Sequence, residues 1–400
     1  MTIAPPRDDV THAADVEALH LATYGQAPDL VAYAPGRVNL MGDHTDYNGG
    51  QSLPIAIDRG TACAVSRRSD GVIAMVSAQG DGLVREVRVD DLAPGCVSGW
   101  GAYVAGSVAM AMERGWHSGG VSITLDGDVP LGAGLSSSAA LECAVVLAVA
   151  ALSGSDPDPM AIALAAQEAE HVYAGVPCGI LDQATSMLAQ AGEALILDSG
   201  QLTATSVPLG LDELGLHVLV VDTNAHHELT DGGYASRRAA CEEAAAALGV
   251  DRLARLTVAD LDRVDSLPDP LDQRAHHVVT EHARVAETVA AFAAGDVERI
   301  GDLFAQSHWS LAGDFEVSCP ELDVAVQAAM AAGAVAARMT GGGFGGSAVV
   351  LCPTESSVGV QGAVRTAFAD QGFAAPSFLV VSPSRGAHVI SQDGDPARTL

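Results

Sequence analysis

The alternation of hydrophobic and polar positions predicts a series of strands in the first third of the chain. It covers residues 61–67, 72–77 and 83–89, and short apolar runs at 31–33 and 121–125 predict two further strands. Because the first three segments follow one another through short turns, the pattern favours an antiparallel meander.

Helical spacing of apolar residues dominates the rest of the sequence. The predicted helices lie at residues 16–24, 103–114, 159–174, 183–189, 234–248, 274–294 and 297–311, together with a long apolar helix after residue 138. Two more strands are predicted at 215–222 and 347–351. This interleaving predicts an α+β fold with mixed sheets. We expect an N-terminal domain at residues 1–205 and a C-terminal domain at residues 206–400.

The composition of the 400 residues narrows the chemistry. Hydrophobic residues make up 48% of the chain and aromatic residues only 4%, which suits helices packed on sheets. All 20 basic residues are arginine, since the sequence contains no lysine. This absence excludes a Walker A phosphate loop, a protein kinase and a pyridoxal phosphate enzyme, because each of these needs a lysine.

Charge and cysteine content limit the partners and the compartment. A net charge of −30 leaves no basic stripe for nucleic acid, so any phosphate site must be built from local amides, arginine or a metal. The seven cysteines include no CxxC pair and indicate a reducing compartment. The first residues are polar and acidic and no apolar run is long enough to span a bilayer, so we expect a cytoplasmic protein without a secretion signal.

A glycine- and serine-rich stretch before the long apolar helix is a candidate phosphate site. Gly132 and Gly134 permit close approach of backbone, and Ser136, Ser137 and Ser138 then open the helix. The free N–H groups and positive dipole at a helix N-terminus attract anions, and a serine hydroxyl is also a ligand for Mg²⁺. The alternative is an ordinary serine-capped helix after a turn.

A second glycine cluster, residues 340–347, lies between a helix and an apolar strand. Its five glycines exceed what a helix cap requires. We expect backbone to pack closely here against a ligand or against the first glycine loop. The alternative is a flexible loop.

Residues 36–50 form a polar loop that concentrates one arginine, two carboxylates, one imidazole and two amides. Such a set suits a polyhydroxylated ligand, because each hydroxyl can donate to a carboxylate and accept from an amide or imidazole. A solvated turn is the alternative. Asp182 lies among apolar residues, and a buried carboxylate needs a cation, so Arg37 is its natural partner. Glu170 could supply a second oxygen ligand to Mg²⁺.

Three segments, GRVNLMGDHTDYNGG, LGAGLSSSAALE and TGGGFGGSAVVL, resemble in order and spacing the three motifs of the GHMP small-molecule kinases, and the first resembles the galactokinase signature. With supporting segments the resemblance extends from about Tyr33 to about Val350. It implies two α+β domains with the active site in the cleft between them. It also implies phosphorylation of α-D-galactose at its anomeric hydroxyl by ATP, with Mg²⁺.

The resemblance also implies roles for individual residues. Arg37 matches the transition-state arginine and Asp182 the catalytic carboxylate of the family. The expected sugar contacts are Asp43, His44, Thr45, Asp46, Gly179 and Tyr234. The expected ATP contacts are Gly132, Ala133, Gly134, Leu135, Ser136, Ser137 and Ser138, with Ser77 and Trp100 near adenine. Ser138 and Glu170 match the Mg²⁺ positions.

One departure from the family pattern bears on the sugar. Asp43 stands where galactokinases usually carry glutamate, a residue that resembles the contact for the 6-hydroxyl. The alternatives are therefore a kinase of a related sugar, such as N-acetylgalactosamine or a galactose analogue altered at carbon 6, or a sensor that binds sugar and ATP without turnover. ATP and galactose are the expected partners of a monomer, with no nucleic acid, membrane or protein partner.

Overall fold

A computed structural model describes residues 6–226 and 230–390. The elements of the first half are α1 (Asp9–Tyr24), β1 (Leu30–Asn39), β2 (Gln51–Ser52), β3 (Pro54–Arg68), β4 (Val72–Ser77), β5 (Arg85–Arg88), α2 (Trp100–Glu113), β6 (Gly120–Gly127), α3 (Ser137–Leu152), α4 (Pro159–Ala169), α5 (Leu181–Leu188), β7 (Glu193–Asp198) and β8 (Thr203–Pro208). A π-helical turn, Glu170–Ala174, continues α4.

The second half follows with longer helices and a smaller sheet. Its elements are β9 (Leu216–His226), α6 (Thr230–Ala247), α7 (Leu261–Val264), α8 (Leu271–Ala294), α9 (Val297–Gly313), α10 (Pro320–Ala331), β10 (Ala336–Thr340), β11 (Gly345–Pro353), α11 (Ser357–Gln371), β12 (Ser377–Val381) and β13 (His388–Ile390). The predicted α+β class with mixed sheets is confirmed.

The six-stranded sheet has the order β13-β1-β3-β6-β4-β5, and α3 packs against β1 and β3. The predicted antiparallel meander is wrong, because β6 lies between β3 and β4 and runs parallel to β4. Parallel neighbours need a crossover connection, and α2 lies in the segment that joins β4 and β5 to β6. Local alternation gave no sign of this insertion.

Strand β1 is longer than predicted and brings the first motif to the centre of the molecule. The segment after Tyr33 was expected to be a loop, but it continues in the strand through a bulge between Pro35 and Arg37. Gly36 lies against the glycine-serine loop, since a Cβ at this position would lie 2.6 Å from the carbonyl oxygen of Leu135. The Arg37 N–H donates to that same oxygen at 3.1 Å.

The four-stranded sheet of the second half has the order β10-β11-β9-β12. The chain then returns to the first half, where β13 pairs with β1 and the N–H groups of Gly386 and Ala387 donate to carbonyl oxygens around the end of α5. A third sheet has the order β2-β7-β8, and in it β2, which directly follows the first motif, pairs with β7. None of the described helices is long and apolar enough to cross a membrane.

Candidate active site

Residues from the first and third motifs and from the segment that carries Asp182 meet around one cavity. Of the predicted residues, those that line it are Arg37, Asp43, His44, Asp46, Gly179, Asp182 and Tyr234. The first strand and its loop, the start of α5 and the start of α6 therefore converge, although they are far apart in the sequence. Gly341 and Gly342, which follow β10, complete the wall.

Arg37 and Asp182 form a two-pronged ion pair at this cavity. The Nε of Arg37 donates to Oδ1 of Asp182 at 2.8 Å, and Nη2 donates to Oδ2 at 2.9 Å. The third nitrogen, Nη1, donates to the carbonyl oxygen of Gly134 at 2.6 Å. A bidentate pair fixes both side chains in one plane, so the guanidinium holds the carboxylate at the edge of the glycine-serine loop. The predicted pairing is confirmed.

Ser136 faces the same carboxylate from the loop. Its hydroxyl donates to Oδ2 of Asp182, and its backbone is left-handed with φ 62°. Although Ser136 occupies the N-cap position of α3, its side chain makes no capping hydrogen bond. The first N–H groups of a helix have no partner within the helix, so those of α3 stay available to an anion. The alternative of an ordinary serine cap is therefore wrong.

A second cavity is lined in part by the glycine-serine loop. Ser77, Trp100 and Ser137 line it together with the apolar side chains of Leu131 and Leu141. Its wall suits a flat, largely apolar ligand group. The loop, residues 131–137, thus lines this cavity directly and is tied to the first cavity by the contacts of Gly134 and Ser136 with Arg37 and Asp182. Ala133 and Leu135 bury their side chains in the core, so only their backbone can contact a ligand.

The third motif packs against this loop as expected. The hydroxyl of Ser347 donates to the carbonyl oxygen of Ala133 at 2.6 Å. A Cβ at Gly341 would lie 3.4 Å from the Gly134 oxygen, and one at Gly346 would lie 3.6 Å from the Ala133 oxygen. Both distances are ordinary contacts, so glycine is required at these two positions by the left-handed backbone, with φ 82° at Gly341 and 75° at Gly346. The two loops are packed against each other, and the flexible-loop alternative is wrong.

Backbone strain is concentrated in the same three motifs. Among the described residues, the non-glycine residues with positive φ are His44, Ser136, Leu202, Asn224, Glu316 and Phe344. Three of these, His44, Ser136 and Phe344, lie in the first, second and third motif, respectively. Such conformations persist where surrounding contacts enforce them, and they cluster at functional sites.

Asp46 depends on the absence of a side chain at Gly179. A Cβ on Gly179 would lie 1.5 Å from Oδ2 of Asp46, so the carboxylate occupies the space that glycine leaves. Its oxygens also accept hydrogen bonds from the backbone of Tyr47 and Leu181. Burial, with the neighbouring charge of Asp182, raises the pKa of Asp46 to about 6.

His44 and Tyr234 form an aromatic wall beside these carboxylates. Their rings lie 5.5 Å apart, and Nδ1 of His44 is hydrogen-bonded to the hydroxyl of Tyr47 at 3.0 Å. Burial lowers the pKa of His44 to about 3, so the imidazole is neutral at physiological pH. A neutral ring can both donate and accept, which suits recognition of hydroxyl groups.

Thr45 does not reach the cavity, so its predicted contact with the sugar is wrong. The side chain is fully buried, and its hydroxyl lies 2.8 Å from the carbonyl oxygens of both Gly42 and Gln51. Its position in the motif could not reveal this, because the direction of the hydroxyl is set by the folded loop. Thr45 stabilises the loop that presents His44 and Asp46.

Glu170 and Ser138 are in contact, as their predicted joint role requires. Their side chains are hydrogen-bonded, and Nε2 of Gln183 donates to Oε2 of Glu170 at 2.7 Å. Burial and the nearby charge of Asp182 raise the pKa of Glu170, which indicates that a cation would be favourable here. The described residues include no group of three or more His, Cys, Asp or Glu side chains that could hold a metal ion. Two protein oxygens beside the candidate phosphate site nevertheless fit Mg²⁺, which usually takes its other ligands from phosphates and water.

Several cavity residues were not predicted individually. Cys178 and Leu181 line the first cavity, and Arg338 lies directly behind Asp43. The first two lie in the same short segment as Asp182, so the segment itself was the available signal. Arg338 is the one charged residue of the strand AARMT, and that isolated charge was the signal for it.

Comparisons with known proteins agree with this geometry. Three protein-family models match the chain: the galactokinase galactose-binding signature at residues 18–67, the N-terminal domain of GHMP kinases at 102–190 and the C-terminal domain of GHMP kinases at 288–370. These segments contain the first motif, the glycine-serine loop with Asp182, and the third motif.

Similar proteins cover almost the whole chain. A galactokinase of Streptomyces coelicolor is 46% identical over 367 residues, which are 91% of this chain and 95% of the relative. A galactokinase of Mycobacterium tuberculosis is 40% identical over 345 residues, or 86% of this chain and 94% of the relative.

Solved structures show the same similarity. The crystal structure of Lactococcus lactis galactokinase complexed with galactose matches with a TM-score of 0.89 and 30% identity, over 94% of this chain and 99% of that chain. A mevalonate kinase with a TM-score of 0.66 and 16% identity, over 88% of this chain and 99% of that chain, shares the fold alone. Together with the family models, these matches show that the chain belongs to the galactokinase family of the GHMP kinases.

Proposed function

We propose that this protein transfers the γ-phosphoryl group of ATP to the anomeric hydroxyl of α-D-galactose, giving α-D-galactose 1-phosphate and ADP. The observation that carries the proposal is the Arg37–Asp182 pair, which lies between a cavity lined by hydroxyl-binding groups and the glycine-serine loop. Membership of the galactokinase family supports the same reaction.

In this reaction Asp182 orients the attacking hydroxyl. As the oxygen of C1 forms its bond to the γ-phosphorus, its proton passes to the carboxylate and the bond to the β-phosphate oxygen breaks. Arg37 offsets the negative charge on the transferring group. Phosphoryl transfer depends mainly on positioning and on charge neutralisation, and the bidentate pair supplies both.

The glycine-serine loop is the proposed phosphate site. The uncapped start of α3 supplies N–H groups. A phosphate can approach the backbone of residues 132–138, because Gly132 and Gly134 carry no side chain. Ser77 and Trp100 line the cavity proposed for adenine. Ser138 and Glu170 would hold Mg²⁺, whose charge offsets that of the β- and γ-phosphates.

The first cavity is the proposed sugar site. Asp43, His44, Asp46 and Tyr234 offer acceptors and donors along its wall, while Gly179 makes room for Asp46. A second candidate follows from Asp43, which is shorter than the family's usual glutamate. A kinase of a related sugar, with a different group at carbon 6 or an N-acetyl group, fits a recessed carboxylate. A non-catalytic sensor is disfavoured, because Arg37 and Asp182 are paired and face the loop.

The proposal is tested with purified protein, MgATP and a panel of sugars. We expect ADP release with galactose and a product phosphorylated at C1, with slower reaction of N-acetylgalactosamine and of sugars altered at carbon 6. A preference for one of these sugars over galactose supports the second candidate. Binding of galactose and ATP without ADP release, even in a single-turnover experiment, contradicts both. A monomeric state and a cytoplasmic location remain predictions.

A further inference from the structure

Arg338 is a completely buried guanidinium directly behind the proposed sugar site. Among the described residues whose side chains are fully buried, Arg338 has the largest volume. Its Nη1 donates to the carbonyl oxygen of Leu40 at 3.0 Å, and its Nη2 donates to Oδ2 of Asp43 at 2.5 Å. Burial of a charge without excellent partners is strongly unfavourable, and a buried ion pair adds little stability compared with apolar packing. Stability alone therefore does not account for an arginine here.

The two hydrogen-bond partners of Arg338 lie in the segment that leads from the first strand into the cavity wall. Leu40 directly follows the strand, which ends at Asn39, and Asp43 faces the cavity. Glu281 on α8 lies 3.7 Å from Nη2, but its main partners are Arg284, the Gly42 N–H and the Ser307 hydroxyl. Arg338 therefore acts chiefly on Asp43.

The carboxylate of Asp43 is held on two sides. Oδ1 accepts from the Gly341 N–H at 3.1 Å, while Oδ2 is bound to Arg338. Burial raises the pKa of Asp43, and Arg338 opposes this rise. A carboxylate offers about four acceptor positions. An acceptor position that these protein groups leave free can accept a hydroxyl of a ligand in the cavity, in a direction that Arg338 and Gly341 fix.

From these contacts we infer that Arg338 is a positioning residue that fixes the carboxylate of Asp43, so that the enzyme recognises one particular hydroxyl of the sugar. The inference rests on the proposed function, since it assumes that the cavity binds a sugar. It assigns to a residue of β10 a part in substrate choice. It also explains why β10 and its glycine loop are joined to the first motif at a second point, where the hydroxyl of Thr340 donates to the Asn39 carbonyl oxygen at 2.8 Å.

The test compares wild type with Arg338→Lys, Arg338→Gln, Asp43→Asn and the double variant Arg338→Lys with Asp43→Asn. The substrates are galactose and its 2-, 3-, 4- and 6-deoxy derivatives, with kcat and KM measured for sugar and for ATP. Loss of a hydrogen bond to a charged group lowers kcat/KM by about 10- to 100-fold. We expect each single variant to lose this much against galactose but little against one deoxy sugar, the same one for both residues. The double variant should lose no more than the worse single variant, with the KM for ATP within about twofold of wild type.

Arg284→Lys is the matched control, because Arg284 is also buried and paired with Glu281 but does not contact Asp43. It should affect all five sugars in equal proportion. The inference is overturned if the Arg338 variants also affect all sugars equally, or if Arg338 and Asp43 variants change recognition of different hydroxyls.

Stability gives an independent readout in case the Arg338 variants do not fold. Asp43→Asn leaves the buried guanidinium without its carboxylate, so we expect a clear drop in Tm. An Asp43→Asn protein as stable as wild type contradicts the inference. If wild type phosphorylates none of these sugars, the proposed function itself fails. If wild type is active but the variants are impaired equally with all sugars, only the inference on Arg338 fails.

Discussion

Gly179 gives a sharp test of how the proposed sugar site is built. A methyl group on this residue would lie 1.5 Å from Oδ2 and 2.2 Å from Cγ of Asp46, which no rotation of the methyl group can relieve. In Gly179→Ala the carboxylate must therefore move, and it loses its backbone donors at Tyr47 and Leu181. If Asp46 accepts a sugar hydroxyl, that contact is lost as well.

The size of the effect follows from the bond that is lost. A hydrogen bond to a charged group contributes about 1.5–3 kcal/mol, so the kcat/KM for galactose should fall by about 10- to 150-fold. The KM for ATP should stay within about twofold, because the atoms nearest to a Cβ on Gly179 belong to Asp46 and not to the glycine-serine loop. The assay measures ADP release at varied galactose and at varied ATP.

Two further variants make this prediction specific. Gly362→Ala on α11 is the matched control, because a Cβ there meets no atom within 4 Å, and it should keep wild-type kinetics. On an Asp46→Ala background, Gly179→Ala should add little further loss. A Gly179→Ala enzyme with the galactose kinetics of wild type would refute the reasoning, and so would a loss that is equally large without the Asp46 carboxylate.

Three other predictions address the metal, the loop contact and pH. Ser138→Ala removes a proposed Mg²⁺ ligand, so half-maximal rate should need at least about tenfold more Mg²⁺, and an unchanged Mg²⁺ titration counts against the assignment. Ser347→Ala removes the bond to the Ala133 oxygen and should raise the KM for ATP by about 2- to 10-fold without changing that for galactose; the opposite pattern contradicts the proposed loop contact. Burial lowers the pKa of His20 to about 4, below its usual 6.5, so its contribution to stability is complete above pH 6.5 and is lost as pH falls toward 4. Urea titrations measure the free energy of unfolding at pH 7 and at pH 5. Between these pH values it should fall by about 1–2 kcal/mol less in His20→Gln than in wild type, and an equal fall in both would contradict the buried neutral imidazole.

The motifs predicted much of the site because each is a short segment with its own chemistry. Arg37 and Asp182 were paired from the sequence because a carboxylate among apolar neighbours needs a cation, and the structure shows that pair. The contact between the two glycine loops was one of two predicted alternatives, the other being contact with a ligand, since so many glycines indicate close approach of backbone.

The misses arise from contacts between distant parts of the chain. The partner of Asp43 is Arg338, which lies 295 positions later, and no local pattern joins them. Thr45 was placed in the sugar site because it belongs to the first motif, but its hydroxyl turns toward backbone carbonyls. The order of strands in the large sheet depends on a crossover that alternation cannot reveal.

The central claim is that Asp182, held by Arg37 and Ser136, orients the sugar hydroxyl and receives its proton, and Asp182→Ala tests it most directly. Asp182→Asn is the matched variant, because it keeps the size of the side chain but cannot take up the proton in the same way. Turnover is measured by ADP release, and ATP binding by calorimetry shows whether the nucleotide site is intact. The account predicts that Asp182→Ala abolishes nearly all turnover while ATP binding is largely retained. Turnover close to that of wild type would contradict it.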